Sequence, residues 1–477
     1  MRYWFGDGRS VLHSRNPIPQ HPFLTMHHIV APCRFGMAAF LIVGWICSAG
    51  WANGQDAVPL AEAFRPGHAY KVDVQVKVNG KLAIPKGKEA PKVTAISGVS
   101  RLTYDERVLD PDEPETQKTI RAYREVEFRR TIDTSAQDAG IRPSVRRMTV
   151  IRGANRPVPF SPDGALTWGE IDVVRTDVFS PSLVPGLLPT GPVKPGQTWK
   201  ATAAAVTEIT NLEKIDEGGL TVEFLGVAPV DGKLMARLRV WGTVRGVDED
   251  GPGRHKIEGT AFFDLQAKLL TYLSIRGTHE LLDGATGQTM GAIEGQFVMT
   301  RSPLLKHPAD LSDASLRGVD LKPNAENTLL LFDDPGLGAR FQYPRGWRMG
   351  VVQGNQVTLD HARLGGGILI TVAPAGKVPT ADAYLRETTA FLQTVKAQAR
   401  VVAAPSQLRP GPIQIDRFTL DVTLDKDAAR VEYAVLTQAE GGATVAARLP
   451  QATAADLRPD FERVIRSMSI TRKIEAK

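Results

Sequence analysis

Cysteine is nearly absent from this chain: its 477 residues include two, Cys33 and Cys47. Both precede residue 53, in a segment that we expect to be removed on export. The remaining chain therefore has no thiol, and neither a disulfide nor a cysteine-ligated metal site is expected in it. Export would permit disulfides, because they persist in oxidising compartments.

The chain also has no large excess of positive or negative charge. The chain has 58 Lys and Arg against 52 Asp and Glu, and residues 1–52 hold four of the basic and one of the acidic residues. The remaining 54 basic and 51 acidic residues leave a net charge of +3. Such near-neutrality gives no electrostatic preference for nucleic acid, so no nucleic-acid partner is expected.

Catalytic signatures are missing as well. The sequence has no Gly-x-Ser-x-Gly, Ser-x-x-Lys or His-Glu-x-x-His motif, and these motifs mark common hydrolase classes. Gly365–Gly367 leads into a predicted strand, whereas a phosphate-binding loop leads into a helix. We therefore predict no catalytic residue and no cofactor, and favour a protein that is not an enzyme. A serine site assembled from distant residues stays open.

Metal ligands are not evident from spacing. Five histidines follow residue 52, namely His68, His255, His279, His307 and His361. No pair has the short spacing, such as i and i+4 on a helix, that commonly brings two ligands together. His279, beside Glu280, is the best single candidate. Asp248–Gly253 lacks the ligand spacing of a calcium loop and is interpreted as a hairpin turn. We predict no metal site.

No hydrophobic run is long enough to cross a bilayer. The longest, Met37–Cys47, follows Arg34 and leads into small residues, and it is shorter than the ~20 residues that a membrane helix needs. This order is typical of a secretory signal. We predict cleavage after Ala52, with Gly50 three positions before the cut, a translation start at Met26, and no stable membrane anchor afterwards.

Alternating patterns predict an antiparallel β-rich region over residues 55–305. Tyr70–Val78 alternates valines with polar residues, and Asn79–Gly80 is typical of a tight hairpin turn. The pattern returns over 220–224, at a turn of Asp231–Gly232, and over 234–244. In that last strand we expect five side chains to face inward: Leu234, Ala236, Leu238, Val240 and Val244. Further strands are predicted over 92–106, 118–132, 144–152, 257–265, 269–281 and 291–301.

A short internal similarity suggests two duplicated halves within this region. Pro66–Lys71 and Pro195–Lys200 each offer Pro-Gly, two further residues, an aromatic residue and Lys. Between them, 166–174 is predicted to form a short helix with Thr167 as its N-cap. Few helices are available to cross over parallel strands, which favours an antiparallel meander.

The pattern changes after a segment without periodicity, residues 306–327, which we interpret as a linker. Residues 328–477 then show strands over 339–343, 355–360, 367–373, 413–424, 429–438 and 444–449. A helix capped by Thr380 and a final helix bearing Leu457, Phe461 and Val464 are predicted to pack on this sheet. The predicted fold class is α+β, predominantly antiparallel β, with an α+β sandwich at the C-terminal end.

Two resemblances accompany this pattern. Phe341-Gln-Tyr-Pro-Arg-Gly-Trp347, with a final helix ending in Val464–Met468, resembles the PsbP-like fold of small exported or lumenal proteins. That resemblance implies an accessory or binding role; the family's metal-binding histidines have no matching position here. The N-terminal region resembles uncharacterised secreted β-rich bacterial proteins with a Gly-x-x-Trp element near a strand start, which implies no activity.

We interpret the chain as an exported, periplasmic or extracellular binding or assembly module of the cell envelope. Its partner is expected to be an envelope protein, polymer or lipid. The alternatives are a carrier of a lipophilic ligand with a cavity in the β domain, and an envelope hydrolase with a non-motif site. Arginines over 119–147 interleave with Glu125 and Glu127, which favours ion pairing over contact with anionic lipid or polymer. Trp347 is either a core residue or a binding aromatic.

Export with cleavage after Ala52 is directly testable. N-terminal sequencing of the secreted protein should begin at Asn53. Recovery of an intact chain beginning at Met26 in the membrane fraction would show an uncleaved anchor instead.

Overall fold

The computed structural model describes residues 57–474 apart from 63, 87–88, 114–115, 153–157, 176–183, 249–250, 362 and 425–426. The predicted signal and its cleavage site at Ala52 lie outside the described residues. The described part of the chain divides into two compact units. The β unit comprises 57–163 and 169–322, and the C-terminal unit comprises 164–168 and 323–474. None of the helices in the described part of the chain is long and apolar enough to span a membrane.

The β unit is built on one twelve-stranded antiparallel sheet. Its strands are β1 (Ala69–Lys86), β2 (Glu89–Leu109), β3 (Gln117–Ile132), β4 (Ser135–Ala139), β5 (Arg147–Arg152), β6 (Val158–Phe160), β7 (Thr198–Lys200), β8 (Lys214–Val230), β9 (Lys233–Asp248), β10 (Gly251–Asp264), β11 (Leu269–Leu282) and β12 (Thr289–Pro303). Their order is β6-β5-β3-β2-β1-β12-β11-β10-β9-β8-β7, and β4 pairs with β3. Two consecutive meanders are thus joined by the β1–β12 pair, which confirms the predicted antiparallel, β-rich α+β class.

Alternation of apolar and polar residues defines the buried face of this sheet. Val72, Val74, Val76 and Val78 of β1 are all buried, as predicted. In β9, Ala236, Leu238, Val240 and Val244 are buried too. Leu234, expected to face inward, is instead 61% exposed, because it lies beside the Asp231–Gly232 turn at the end of the hairpin. Short helices α1 (Trp168–Arg175), α2 (Val184–Leu187) and α3 (Ala203–Thr210) bury further apolar side chains in this unit.

The turn predicted at Asn79–Gly80 is wrong. Strand β1 continues through both residues, and Gly80 pairs with Ile96 of β2 and Ile293 of β12. A Cβ on Gly80 would lie 2.2 Å from the carbonyl oxygen of Ala292. The glycine is therefore needed for close approach of two strands, whereas its sequence context is that of a hairpin turn.

The two Pro-Gly segments adopt the same local structure. Gly67 and Gly196 have φ angles of 87° and 81°. The amide of each donates to the carbonyl of the following strand's partner, Val108 and Phe224 respectively, at 2.9 and 2.7 Å. In both segments the amide of the next residue donates a hydrogen bond of 3.0 Å to the carbonyl oxygen three positions earlier, His68 to Arg65 and Gln197 to Lys194. The β1 and β7 strands therefore begin with matching geometry.

The predicted linker, 306–327, is more ordered than its sequence indicated. A 3₁₀ turn at Ala309–Leu311 and helix α4 (Asp313–Leu316) pack against the β unit. Leu311 is fully buried beside Ile120 and Ala122 of β3, and Asp310 accepts two hydrogen bonds from Arg124 at 2.6 and 2.8 Å. The apolar content of this stretch is too small to show periodicity, although one leucine is enough to anchor it.

The C-terminal unit contains two antiparallel sheets and two main helices. The first sheet has the order β13 (Leu330–Asp334), β14 (Ala339–Tyr343), β22 (Ser469–Ile470). The second has the order β15 (Trp347–Gln353), β16 (Gln356–His361), β17 (Gly367–Ala373), β21 (Gly441–Pro450), β20 (Asp427–Gln438), β19 (Gln414–Leu424), β18 (Gln398–Arg409). The helices are α5 (Ala381–Thr394) and α6 (Ala454–Ser467).

Most predicted elements of this unit are present. Thr380 caps α5 by accepting a hydrogen bond from the amide of Ala383 at 3.2 Å, and Leu457, Phe461 and Val464 of α6 are buried. Strands β13, β15 and β18 were not predicted. In β18 most residues are exposed, so the strand carries little of the alternation on which prediction depends.

The predicted linker, 306–327, should be the first site of proteolysis. Residues 317–318 are exposed and follow α4 directly, so limited trypsin digestion should cut first after Arg317. The variant Arg317→Gln should lose that cut and keep the rest of the pattern. First cleavage after Lys306, with Arg317 protected, would contradict this expectation.

Candidate metal centre

Three potential metal ligands meet in the β unit: Asp248 at the end of β9, His255 in β10 and His279 in β11. One ligand atom from each lies within 4.8 Å of those of the other two. These are a carboxylate oxygen and two imidazole nitrogens, which are ligand types that zinc and related ions take in proteins.

Strand register brings these residues together. His255 and His279 are direct cross-strand partners in the β10–β11 pair, so their side chains project from the same face. Val244 of β9 lies opposite His255, and Asp248 follows it by four residues. An even separation along a strand keeps a side chain on the same face, so Asp248 shares the face of both histidines.

The two imidazole rings are stacked. Their centroids are 4.2 Å apart and their planes differ by 14°. Asp248 Oδ2 lies 3.7 Å from His279 Nε2, while its Oδ1 accepts a hydrogen bond from the amide of Gly251 at 3.1 Å. One carboxylate oxygen is thus held by the hairpin and the other is directed toward the histidine.

Glycine makes room for this arrangement. A Cβ placed on Gly253 would lie 2.8 Å from His279 Nε2, which is closer than side-chain carbon atoms come to such a nitrogen. Gly253 pairs with Leu281, and its lack of a side chain avoids a clash with the buried histidine nitrogen.

Burial favours the neutral form of the His279 imidazole. His255 is 2% exposed, and the side chains of His279 and Asp248 are 17% and 9% exposed. Burial lowers the pKa of His279, and the nearby carboxylates of Asp248 and Glu280 oppose that shift. A neutral imidazole is the form that binds a metal ion.

The residue set fits a small, borderline-soft cation. Zinc bonds of about 2.0–2.2 Å at tetrahedral angles place ligand atoms ~3.4 Å apart, so the 4.8 Å limit on this cluster calls for a side-chain adjustment of about 1 Å. Rotation about the χ angles of aspartate and histidine suffices for that. Calcium and magnesium prefer an all-oxygen shell, which two imidazoles do not provide.

The remaining histidines hold structural contacts. His68 Nδ1 lies 3.2 Å from the hydroxyl of Tyr70, and His307 Nε2 lies 2.6 Å from the carbonyl oxygen of Gly67. His361 accepts hydrogen bonds at Nδ1 from the amides of Arg363 and Leu364. None of these three residues belongs to a group of three or more potential ligands in the described part of the chain.

The basic stretch over 119–147 forms ion pairs, although four of the five carboxylates that it pairs with come from outside the stretch and one, Glu127, is an interleaved acid. Five of its arginines pair with carboxylates: Arg121 with Glu106, Arg124 with Asp105, Arg129 with Glu127, Arg142 with Glu170 and Arg147 with Asp163. A cavity of about 400 Å³ lies here, lined by Tyr123, Arg124, Pro143, Arg146, Arg147, Asp163 and Asp310. Its lining is mostly charged, unlike the apolar cup that a lipid carrier needs.

Trp347 is a core residue. Its side chain is fully buried, and its indole Nε1 donates a hydrogen bond to Asp460 Oδ2 of α6 at 2.8 Å. The ring meets His361 edge-on, with 5.3 Å between ring centroids. The Pro344-Arg-Gly346 turn directs the indole inward, so it offers no surface for a ligand.

Comparison with known proteins identifies no family. No family model matches the chain, and no curated protein matches it. Among solved structures, cyanobacterial PsbP from Synechocystis sp. PCC 6803 is 18% identical, covers 30% of this chain and 92% of its own, and gives a TM-score of 0.26. Lipovitellin is 10% identical, with 52% of this chain and 27% of its own covered and a TM-score of 0.29. DynF from Micromonospora chersina is 10% identical, with 57% of this chain and 94% of its own covered and a TM-score of 0.14.

A PsbP structure is therefore among the similar structures. The likeness is weak at this TM-score, and it carries no statement about activity. Sequence reasoning missed the Asp248, His255 and His279 cluster because its spacing along the chain is long. The available signal was register: counting outward from the β10–β11 turn places His255 opposite Thr278, and the one-residue shift between Phe262 and Phe263 is what brings it opposite His279.

Removing the buried indole should destabilise the protein. Trp347→Ala deletes a large core side chain and leaves Asp460 without its donor, so the free energy of unfolding should fall by ~3–5 kcal/mol. Chemical denaturation measures this loss. Trp241→Ala, at a partly exposed position on the sheet, is the matched control and should cost less. A loss below ~1 kcal/mol for Trp347→Ala would contradict the core assignment.

Proposed function

We propose that this protein is an exported, non-catalytic binding module of the cell envelope whose β unit binds one divalent transition-metal ion. Asp248, His255 and His279 are the ligands. The observation that carries the proposal is the convergence of these three side chains within 4.8 Å at a mostly buried position.

Burial of this cluster supports a metal-binding role. Two imidazoles and a carboxylate removed from water lose their hydration, and a bound cation compensates that loss through ligand bonds. Two stacked imidazoles contribute little to stability as an ordinary pair. The same three groups around one ion would tie the ends of β9, β10 and β11 together.

The other parts of the proposal rest on sequence. The signal-like segment before residue 53 supports export, and the PsbP-like resemblance of residues 328–477 supports an accessory role for the C-terminal unit. An envelope protein, polymer or lipid is the proposed partner. The charged lining of the cavity near Arg124 and Asp310 favours this reading over the lipid carrier.

Metal titration tests the proposal. The protein, freed of metal by chelation, should bind one equivalent of Zn²⁺ by calorimetry, and the thermal midpoint should rise because the ion binds the folded state. His255→Gln and His279→Gln should each weaken binding by at least ~100-fold, since loss of a second-shell partner alone costs about 10–100-fold.

Matched controls make the result specific. His68→Gln and His307→Gln alter histidines outside the cluster and should bind Zn²⁺ like the parent protein. Failure of the parent protein to bind Zn²⁺ would refute the metal site. Binding by His255→Gln and His279→Gln as tight as that of the parent would refute it too. Turnover of generic esters that requires the bound ion would replace the non-catalytic role with a hydrolase, because a centre with three protein ligands leaves a position for water.

A further inference from the structure

The segment that precedes β1 is attached to the β unit through backbone hydrogen bonds, a buried leucine and a buried carboxylate. We call residues 57–64 the strap; residue 63 is outside the described part of the chain. Val58 exchanges two backbone hydrogen bonds with Val193, at 2.8 and 3.0 Å, and Leu60 is 1% exposed. Between Leu60 and Phe64, the side chain of Glu62 enters the unit and is 3% exposed.

Glu62 contacts both β11 and β12. Its Oε1 accepts a hydrogen bond from the amide of Leu270 at 2.6 Å and is paired with the guanidinium of Arg301. Its Oε2 is buried and has no hydrogen-bond partner in the described part of the chain. An ionised carboxylate with one oxygen left unsatisfied is costly to bury, whereas the protonated form is less so.

Arg301 does not depend on Glu62 alone. Its Nε donates to the carbonyl oxygen of Leu270 at 3.1 Å. Its guanidinium lies over the rings of Phe64 and Tyr70, 5.0 and 5.5 Å from their centroids. The cation therefore keeps a carbonyl and two aromatic faces when Glu62 is neutral.

The charged and titratable groups facing Glu62 come from three strands. Arg301 belongs to β12, Tyr70 to β1 and Glu106 to β2, and Glu106 is paired with buried Arg121 of β3 at 3.0 Å. Burial raises the pKa of Glu62 to about 7; Arg301 opposes this shift and Glu106 adds to it. Burial also raises the pKa of Tyr70 to about 12, so its hydroxyl stays neutral.

We propose that the strap is a proton-linked latch, which docks on β11 and β12 through Glu62 and is held more tightly as the pH falls from about 8 to about 5. Docking takes up a proton, because the docked carboxyl holds it more strongly than the same carboxyl in water. The stabilisation is fully present below about pH 4.5 and is lost as the pH rises through about 7. Release at higher pH would expose Arg301 and the backbone of Leu270 to a partner.

Hydrogen exchange of the purified full chain tests this inference. At pH 5.5 and pH 8.0, with intrinsic exchange rates corrected for, the peptide covering 57–64 should lose about 10-fold of its protection at the higher pH. Peptides from β16 and β17 serve as an internal reference and should not change. Equal protection of the strap at both pH values would overturn the proposal.

Variants identify the titrating group. In Glu62→Gln the pH dependence of strap protection should disappear, and in Glu62→Asp it should persist at lower protection, because the shorter side chain reaches Leu270 less well. Glu258→Gln, at an exposed position of β10, should behave as the parent protein. Persistence of the full pH dependence in Glu62→Gln would assign it to another group and overturn the latch.

Discussion

Adjacent strands of the twelve-stranded sheet approach one another so closely in places that no side chain fits between them. A Cβ would lie 1.9–2.4 Å from a carbonyl oxygen of the neighbouring strand at Gly80, Gly218, Gly242, Gly246, Gly277 and Gly291. Only glycine is compatible with such contacts, and they permit the local kinks by which long sheets curve. The close pairing of β1 with β12, of β8 with β9 and of β10 with β11 depends on these residues.

This constraint explains where sequence reasoning succeeds and where it fails. Alternation predicts β1 and β9 because one face of each is buried, and a period of two then has a direct physical cause. Gly80 was interpreted as a turn residue because Asn-Gly is a strong hairpin signal. The same glycine serves a contact with β12, a strand more than 200 positions later, and a local pattern does not contain that information.

The candidate metal centre shows the same limit. Helical ligand pairs are visible in a sequence because they are three or four residues apart, whereas His255 and His279 meet through register. That register includes a one-residue shift between Phe262 and Phe263, so even a correct pair of strands predicts the contact only to within one position. For Trp347 the sequence left a core position and a binding role open, although the Pro-x-Gly turn before it restricts the directions that the aromatic side chain can take.

The β1–β12 pair has a consequence for how the chain is made. It is the place where the two meanders of the sheet join, and its partners, such as Val74 and Met299, are more than 220 residues apart. Each meander is assembled from neighbouring hairpins, so we expect each to form early, while the join waits for the last strand. During synthesis, β1 therefore keeps an unpaired edge until residue 303 has emerged, and this nascent edge is where the chain is most in need of protection from aggregation.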